Sequence, residues 1–314
     1  MNALLAVLLV AAPAREVRLV MGGTAEVQVV GLADPRPALD AAFAALDSVD
    51  ASMSLWKDSE LTALNSSGRA QASPALFETL RVALEVAKDS GGAFDPTVEP
   101  LVRAGGGLGG ARRSLGRNER RHLLARVGFA RVALDPATRE VRLEPGTRLD
   151  LGGVAKGYAV DLALAALRQA GATGGLVDLG RSSQGAFGWN LVVDVADPQQ
   201  AQAPAWARFD LGGAALSSSG GDQRPEHILD PRSGLPARRL LATTVLAAAG
   251  AEADALSTAA FVLGQEHGLA LLGKRGAEGL MLWRDARGRR HMRTTPGFAA
   301  RHGLATRADV EVHE

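Results

Sequence analysis

The chain has 314 residues, 46% of them apolar, which is enough for one large domain or for two lobes that share a core. Its 35 Lys and Arg nearly balance its 34 Asp and Glu, so the net charge of +1 provides no overall field to recruit nucleic acid or acidic lipid. Aromatic residues make up 4% of the chain, which argues against a base-stacking surface. The absence of cysteine excludes disulfides, zinc–thiolate sites and thiol nucleophiles.

The chain begins with an apolar run, residues 2–14, that ends in Ala-Pro-Ala. Such a run resembles the hydrophobic core and cleavage site of a secretory signal, and it is too short to span a bilayer as a helix. The usual Lys or Arg before the apolar core is missing, and a buried N-terminal strand is the alternative. We expect a signal peptide at residues 1–14 and a periplasmic or otherwise exported protein, or a cytoplasmic one if the leader does not function.

The segment after the leader predicts a strand followed by helices. Glu16–Val30 alternates as a strand does, with an interruption at Met21–Thr24 that indicates a bulge or a close backbone approach. Pro37–Ser52 has the apolar spacing of a helix, and Ser59 is placed to cap a short one. Ser73 precedes a proline that opens a further helix.

Two loops in this part of the chain carry candidate ligand-binding residues. Trp56 is by default a core residue, but a planar ring beside a loop can also stack on a ligand ring. In the proline-rich loop at residues 93–100, Phe94 could provide an apolar wall and Asp95 a hydrogen-bond acceptor. A plain connector is the alternative interpretation of that loop.

The stretch Leu149–Asp161 predicts a short buried strand, a turn at Gly152-Gly153 and the start of a helix that stops near Gly171. Adjacent glycines let the backbone approach a ligand closely, and the free N–H groups of a helix start favour anions such as phosphate. Asp150 and Lys156 flank the turn. The spacing matches neither common phosphate-binding loop, so a tight connection with a surface lysine is the alternative.

The second half of the chain predicts mainly strands and one late helix. Residues 174–180 form a short apolar strand, 181–185 a loop, and 214–222 a strand that runs into a turn of small residues. His227 stands directly before a Pro-Gly turn, a position more favourable for function than that of most single histidines. The tail from Ala299 is expected to be frayed.

The late helix, Glu252–Gly264, places Asp254 and Thr258 on one face because they are four residues apart, with Ser257 adjacent. Oxygen ligands without nearby His or Cys suit Mg²⁺ or Ca²⁺ much better than zinc. The alternative is that Asp254 caps the helix and that the Thr258 methyl group packs inward.

Taken together, the chain resembles the ApbE family, the FAD:protein FMN transferases, from about Val20 to Trp283. Each motif alone is moderately specific, but six of them in the family order are highly specific. The six stretches are Met21–Thr24, Met53–Asn65, Gly91–Val102, Leu149–Asp161, His227–Pro236 and Ala253–Gly264.

The resemblance implies an α+β protein, a mixed fold of antiparallel sheets and flanking helices with an FAD cleft between lobes. This domain would occupy residues 15–298, with a flexible tail at 299–314. The implied activity is Mg²⁺-dependent cleavage of FAD, transfer of FMN through a phosphoester bond to a Thr or Ser of an acceptor protein, and release of AMP. The partners would be FAD and the acceptor, with no nucleic acid and with membrane contact only through the acceptor or an uncleaved leader.

The resemblance also implies roles for individual positions of this sequence. His227 would be the base that deprotonates the acceptor hydroxyl. The metal would be surrounded by the backbone carbonyl of Gly153 together with Asp254, Ser257 and Thr258. The residues that would contact FAD are Met21, Trp56, Ala93, Phe94, Asp95, Asp150, Lys156 and Ile228.

One residue, one turn and the length of one segment depart from the usual family pattern. The family usually has Tyr where Trp56 stands, and Gly-Gly followed by Asp or Asn where this chain has Gly180-Arg181-Ser182-Ser183. The segment between Gly220 and His227 is also shorter than usual. These departures concern the choice of acceptor protein more than FAD binding. Arg181 favours two alternatives: an FAD pyrophosphatase that yields FMN and AMP, and a non-catalytic flavin-binding protein. His227 with the Asp254 and Thr258 pair argues against the second.

Overall fold

The computed structural model describes residues 12–111, 113–189, 191–196, 204–220 and 228–313. The strands of these residues are β1 Ala14–Val20, β2 Gly23–Val30, β3 Arg69–Gln71, β4 Val132–Asp135, β5 Glu140–Leu143, β6 Gly174–Leu179, β7 Ser183–Phe187, β8 Val192–Val195, β9 Ala207–Asp210, β10 Ala215–Gly220, β11 Leu229–Asp230, β12 Leu235–Pro236, β13 Ala242–Ala247, β14 Glu278–Arg284, β15 Arg290–Thr294, β16 Ala305–Thr306 and β17 Val310–His313. The helices are α1 Arg36–Met53, α2 Glu60–Ser67, α3 Pro74–Asp89, α4 Glu99–Ala104, α5 Arg117–Leu124, α6 Ala155–Gln169, α7 Gly250–Leu263, α8 Gln265–Lys274 and α9 Phe298–His302.

Within the described residues, the central element is a nine-stranded sheet in the order β1-β2-β6-β7-β10-β13-β14-β15-β17. Its neighbours are antiparallel except the last pair, β15 and β17, which is parallel. Smaller sheets, β3-β5-β4, β16-β9-β8 and β11-β12, accompany it. The sequence-based prediction of an α+β fold with antiparallel sheets and flanking helices is therefore confirmed.

Both faces of the central sheet are covered, because successive strand residues point to opposite sides. On β13, Val245 belongs to a core shared with α1, α3, α6 and α7, whereas Leu246 belongs to a second core. On β14, Met281 belongs to the first core and Leu280 to the second. The second core is closed by β8, β9 and α9, with Trp206 completely buried in it.

Two tight turns differ from the structure expected at these positions. The expected bulge at Met21–Thr24 is a two-residue hairpin turn between β1 and β2, in which Met21 has φ 52° and Gly22 has φ 76°. The expected loop at residues 181–185 is mostly strand, because β7 begins at Ser183. The turn consists of Gly180, Arg181 and Ser182, and Gly180 and Arg181 have φ 66° and 58°. Paired positive φ angles match the twist of hairpin strands, which explains the two-residue turn at Met21 and Gly22.

The strand expected before the double glycine is also absent from the sheets of the described residues. The Asn65 side chain takes the place of a neighbouring strand there. Its Nδ2 donates to the Leu149 carbonyl at 2.9 Å, and its Oδ1 accepts from the Leu149 N–H at 2.6 Å. Asp150 N–H in turn donates to the carbonyl of Pro96 at 2.7 Å.

The C-terminal tail is part of the fold, so the expectation of a frayed segment at residues 299–314 is wrong. Phe298 is completely buried and Val310 is 7% exposed, and β17 pairs with β15 through His313. The hydrogen bonds of the β15–β17 pair and the burial of apolar side chains thus hold this segment in place. Its sequence has no regular apolar periodicity from which a strand could be predicted.

The predicted signal peptide falls mostly outside the described residues, which begin at residue 12, and Ala14 is already the first residue of β1. In the described part of the chain, none of the helices combines the length and apolar character that crossing a bilayer requires.

Candidate active site

A cleft of about 1790 Å³ opens where the turns β1–β2 and β6–β7, the start of α6, the end of β10 and one face of α7 meet. It brings together nearly all of the site residues predicted from the sequence. His227 is outside the described residues, and Ser257 does not line the cleft. The predicted residues that do line it are Met21, Trp56, Ala93, Phe94, Asp95, Asp150, Gly153, Lys156, Ile228, Asp254 and Thr258.

The start of α6 lies at the cleft and is capped from another helix. Its N-cap residue, Val154, has no side-chain cap, so the first N–H groups need an external acceptor. Asp254 of α7 supplies one, since its Oδ2 accepts from the Gly157 N–H at 3.0 Å. Asp254 therefore caps α6, and not its own helix as the sequence alternative had it.

The capping is reciprocal. Asp161 of α6 accepts hydrogen bonds from the N–H groups of Gly250 at 2.6 Å and Ala251 at 3.0 Å, the first two residues of α7. Each helix therefore stabilises the start of the other, as an N-cap side chain does within one helix. Burial raises the pKa of the Asp161 carboxyl, and the two backbone hydrogen bonds oppose that rise.

The two helices approach each other so closely that only glycine fits at their crossing. A Cβ atom built on Gly157 would lie 1.9 Å from the Gly250 carbonyl oxygen, and one built on Gly250 would lie 2.4 Å from the Gly157 oxygen. No side chain could be accommodated at such a distance from backbone atoms. The contact fixes the position of Asp254 relative to the double-glycine turn.

The Asp254 carboxylate is 4% exposed. Besides the bond from α6, its Oδ1 accepts from the Ser217 hydroxyl of β10 at 3.0 Å. Burial raises the pKa of this carboxyl, and the positive charge of Lys156 opposes the rise. A desolvated carboxylate at the wall of a cleft is stabilised by a cation, so this position favours a metal ion.

Further hydroxyl oxygens lie on α7 and β10 next to this position. Ser219 Oγ of β10 lies 3.2 Å from Thr258 Oγ1 and 2.8 Å from Ser257 Oγ. A Cβ atom built on Gly153 would lie 3.2 Å from Thr258 Oγ1, so the double-glycine backbone packs directly against α7. Such a set of hard oxygen donors beside a buried carboxylate fits Mg²⁺.

Ser257 occupies a different position from the other predicted metal contacts. It is completely buried, and its hydroxyl donates to the backbone carbonyl of Asp254 at 2.9 Å. Its Oγ also pairs with Ser219. Ser257 therefore lies behind the cleft surface, where it supports the residues that face the cleft.

Asp95 does not offer the free acceptor that the sequence suggested. Its Oδ1 accepts from the Thr97 N–H at 2.9 Å and from the Thr97 hydroxyl at 2.6 Å, and its Oδ2 accepts from the Phe129 N–H at 2.7 Å. Burial raises the pKa of Asp95 against these hydrogen bonds. The side chain organises the loop that presents Phe94 to the cleft.

Asp150 and Lys156 remain on opposite sides of the glycine turn. The Gly152 N–H donates to Asp150 Oδ1 at 2.8 Å, and burial, together with the charge of Glu99, raises the pKa of Asp150. The Lys156 ammonium donates to the Ser182 hydroxyl beside the β6–β7 turn. A carboxylate and an ammonium group thus border the same corner of the cleft.

The rim of the cleft carries exposed groups. Trp56 is 67% exposed, and a Cβ atom built on Gly109 would lie 3.3 Å from its ring, so a glycine-rich loop rests against the indole. Arg181 also lines the cleft and is exposed in the β6–β7 turn, with its N–H bonded to Asp178 Oδ1 at 2.9 Å. A flat ring and a cation therefore face the same space.

Sequence reasoning missed Ser217 and Ser219, which it placed in a strand ending in a turn, and it missed the capping role of Asp161. An available signal was the run of three serines before Gly220 at the end of β10, which supplies three hydroxyl groups in a strand that is otherwise apolar. Asp161 is the last residue of the central motif, yet nothing local indicated its partner.

Comparison with known proteins identifies the family to which a chain with this fold and this cleft belongs. The chain belongs to the ApbE family, whose model matches residues 21–281. It is 31% identical over 310 residues to the FAD:protein FMN transferase of Treponema pallidum, covering 86% of this chain and 84% of that protein. The enzyme of the same name from Haemophilus influenzae is 28% identical, with coverages of 86% and 83%.

Solved structures agree with these relatives. The apo form of the flavinyl transferase ApbE of Pseudomonas stutzeri superposes with a TM-score of 0.81 at 27% identity, covering 92% of this chain and 96% of that one. The ApbE protein of Thermotoga maritima gives a TM-score of 0.79 at 27% identity, with coverages of 86% and 94%.

Proposed function

We propose that this chain is an FAD:protein FMN transferase that requires Mg²⁺, joins FMN to a Thr or Ser hydroxyl of an acceptor protein through a phosphoester bond, and releases AMP. The observation that carries the proposal is the buried carboxylate of Asp254, which lies at the start of α6 and among hydroxyl oxygens. The names of the relatives support the choice of FAD as donor and of a protein as acceptor.

The residues that would hold Mg²⁺ are Asp254, Thr258 and the carbonyl of Gly153. Ser219 lies beside Thr258 at the cleft, and Ser257 supports them from behind. Bound there, Mg²⁺ would neutralise charge on the pyrophosphate oxygens and on the departing AMP. A helix N-terminus contributes only about 0.3–1 kcal/mol per charge, whereas enzymatic rate enhancements require about 8–23 kcal/mol. The Ala155 and Gly157 N–H groups at the start of α6 are already bonded to the Leu151 carbonyl and to Asp254. The start of α6 therefore contributes little, and the carboxylate that would recruit the cation matters more for the rate.

The flavin dinucleotide would lie along the cleft with its ring near Trp56 and Phe94. The indole is exposed and flat, which suits stacking on a second aromatic system. Lys156 would contact a phosphate oxygen, since its ammonium group borders the same corner as the glycine turn. The backbone at Met21 and Ile228 would complete the walls.

In the proposed transfer, the acceptor hydroxyl oxygen attacks the phosphorus of the FMN half. A new P–O ester bond forms, the anhydride P–O bond breaks, and its electron pair leaves with AMP. The hydroxyl proton passes to His227, for which a neutral imidazole is suitable near pH 7. The adjacent Ile228 lines the cleft, and this is consistent with a base at the acceptor side.

The test incubates the full chain with FAD and Mg²⁺, with and without an acceptor protein, and measures AMP release and FMN attached to the acceptor by mass spectrometry. A transferase releases AMP in proportion to acceptor modified. An FAD pyrophosphatase releases AMP equally without acceptor, and a flavin carrier releases none, so either result would overturn the proposal.

Two variants assign the roles within the site. Asp254→Ala is expected to abolish Mg²⁺-dependent turnover, and His227→Ala to preserve FAD binding while stopping transfer. If His227→Ala modifies the acceptor at the parent rate, His227 is not the base. An exposed histidine away from the cleft, His267, provides the matched control, His267→Ala.

We also propose that the protein acts outside the cytoplasm, on the basis of the apolar run at residues 2–14. Expression of the full chain in a bacterium, followed by fractionation and N-terminal sequencing, tests this. A mature protein that starts near residue 15 in the periplasmic fraction is expected, and an intact N-terminus in the cytoplasmic fraction would contradict it.

A further inference from the structure

The parallel pair β15–β17 lies beyond the residues 21–281 matched by the family model, and it does not line the cleft. The register of this pair sets His291 opposite Glu311, and His313 follows two residues later on the same side of its strand. One potential ligand atom from each of the three side chains lies within 4.8 Å of the others.

The distances among these atoms are those of a chelating group. His291 Nδ1 lies 3.1 Å from His313 Nε2 and 3.4 Å from Glu311 Oε2. Glu311 Oε1 is 3.9 Å from His313 Nε2. Two metal–nitrogen bonds of about 2.0–2.1 Å, meeting at a tetrahedral angle, span about 3.3 Å. A single ion could therefore be bound with small side-chain movements.

Two neighbours hold the imidazoles in this orientation. His291 Nε2 is buried and makes no hydrogen bond within the described residues, and Asp285 Oδ2 lies 3.4 Å from it. A small movement would let Asp285 accept the Nε2 proton and leave the Nδ1 lone pair facing His313. The Trp283 indole stacks on both rings, with centroids 5.3 Å from His291 and 5.7 Å from His313. A carboxylate behind a ligating histidine is the usual support of such a ligand.

The charges around the cluster are compatible with a cation. Two arginines near the cluster have carboxylate partners: Arg289 Nε is 2.7 Å from Asp285 Oδ2, and Arg290 Nη1 is 2.6 Å from Asp309 Oδ2. A third, Arg293, lies opposite His313 in the strand register. His291 is 7% exposed, whereas Glu311 and His313 are open to solvent on one side. An ion can reach the cluster from that side.

We propose that His291, Glu311 and His313 form a second metal site, which binds Zn²⁺ or a similar transition-metal ion and fastens β17 to β15. Two imidazoles and one carboxylate are the ligand set of zinc rather than of magnesium. His291 Nδ1 and His313 Nε2 lie at hydrogen-bond distance, 3.1 Å, so the two nitrogens already face each other. The site differs from the oxygen-lined flavin cleft in both ligand type and position.

The experiment uses the untagged full chain, freed of metal with a chelator and titrated with Zn²⁺ and with Co²⁺. One equivalent of Zn²⁺ is expected to bind in excess Mg²⁺ and to raise Tm, and Co²⁺ is expected to give the visible absorption of a nitrogen-ligated ion. His313→Ala and Glu311→Gln should each weaken binding by about tenfold or more. His267→Ala, which removes an exposed histidine of α8, should bind as the parent does.

The results that would overturn this metal site are measured as Zn²⁺ binding, so they can be told apart from a failure of the proposed flavin transfer. The proposal is overturned if micromolar protein binds no Zn²⁺, or if His313→Ala and Glu311→Gln bind it as tightly as the parent. It is also overturned if Asp254→Asn abolishes Zn²⁺ binding, because the ion would then be in the cleft. FAD binding by His313→Ala checks that the variant is folded, since this residue is partly exposed and remote from the cleft.

Discussion

The carboxylate of Asp254 on α7 accepts a hydrogen bond from the backbone N–H of Gly157 on α6 at 3.0 Å. The side chain proposed to bind Mg²⁺ is therefore also the cap of the helix that begins at the cleft. One residue thus links the proposed metal site to the start of α6. Burial raises the pKa of its carboxyl, and the charge of Lys156 opposes that rise.

Replacing Asp254 by Asn separates these two roles. The amide oxygen can still accept from Gly157 N–H, and the amide nitrogen can donate to Ser217 Oγ, while the buried charge is removed. We expect no Mg²⁺-dependent FMN transfer. We also expect the Tm of the metal-free protein to rise by about 2–4 °C, the effect of about 1 kcal/mol in a domain of a few hundred residues.

Thermal unfolding in chelator, and again in saturating Mg²⁺, measures this. Mg²⁺ should raise the Tm of the parent protein and leave that of Asp254→Asn unchanged, because only the parent retains the ligand. Equal stabilisation of both proteins by Mg²⁺ would show that Asp254 is not a ligand.

The raised pKa of Asp161 leads to a second prediction, on pH. Because burial raises the pKa of this carboxyl above the unfolded value of about 3.9, the folded state holds the proton more tightly than the unfolded state. Its contribution to the free energy of unfolding is complete below about pH 3.9 and is lost as pH rises through the folded pKa. The free energy of unfolding of the parent protein, relative to that of Asp161→Asn, should therefore fall as pH rises across that window.

Urea unfolding of both proteins at a series of pH values from about 4 to 8 measures the difference, in which the other carboxylates cancel. A difference that rises with pH would mean that the hydrogen bonds from Gly250 and Ala251 outweigh burial, and that the pKa of Asp161 is lowered rather than raised.

Local sequence signals were sufficient for part of this architecture. The helices α6 and α7 follow from apolar periodicity, and the alignment of Asp254 with Thr258 follows from the helical repeat alone. Ser59 caps α2 as expected, since a capping box depends on residues three apart. Each of these features is decided by neighbours within one turn.

Features that depend on distant partners were not predictable. The Ser217 bond to Asp254 joins residues 37 apart, and the Asp161 bond to Gly250 joins residues 89 apart. Leu149 was assigned to a strand because its apolar neighbours allow one, whereas the Asn65 amide, 84 residues away, satisfies its backbone. Such pairings depend on how the sheet and the helices assemble. The residues next to each partner in the sequence carry no information about that assembly.

A third prediction concerns Trp56 at the cleft rim. Its ring is 67% exposed, so Trp56→Ala should change the free energy of unfolding by no more than about 0.5 kcal/mol. Losing an aromatic contact of about 0.5–1.5 kcal/mol should raise the Kd for FAD by about 2- to 12-fold. Trp56→Tyr should bind FAD nearly as the parent does, because a flat ring remains.

Fluorescence titration of FAD with each variant yields these constants. Leu19→Ala is the matched control, because Leu19 is 83% exposed and does not line the cleft. An unchanged Kd in Trp56→Ala would exclude stacking of the flavin dinucleotide on this residue.

The crossing of α6 and α7 provides the fourth prediction. Both Gly157 and Gly273 are helical, but a Cβ atom at Gly157 would meet backbone at 1.9 Å, whereas one at Gly273 would meet nothing within 4 Å. Gly157→Ala must therefore push α7 away, with a cost of about 1–3 kcal/mol or more. Gly273→Ala should be neutral or stabilise by up to about 1 kcal/mol, since alanine favours a helix.

The two substitutions should also differ in activity. Separation of the helices lengthens the bond from Gly157 N–H to Asp254, so Gly157→Ala should lose Mg²⁺-dependent transfer even at temperatures where it is folded, while Gly273→Ala keeps it. Urea unfolding and the rate of acceptor modification are measured on both. If Gly157→Ala has the stability and the rate of the parent, the helix crossing tolerates a side chain. The close contact between the two backbones would then not be what holds the Asp254 carboxylate at the start of α6.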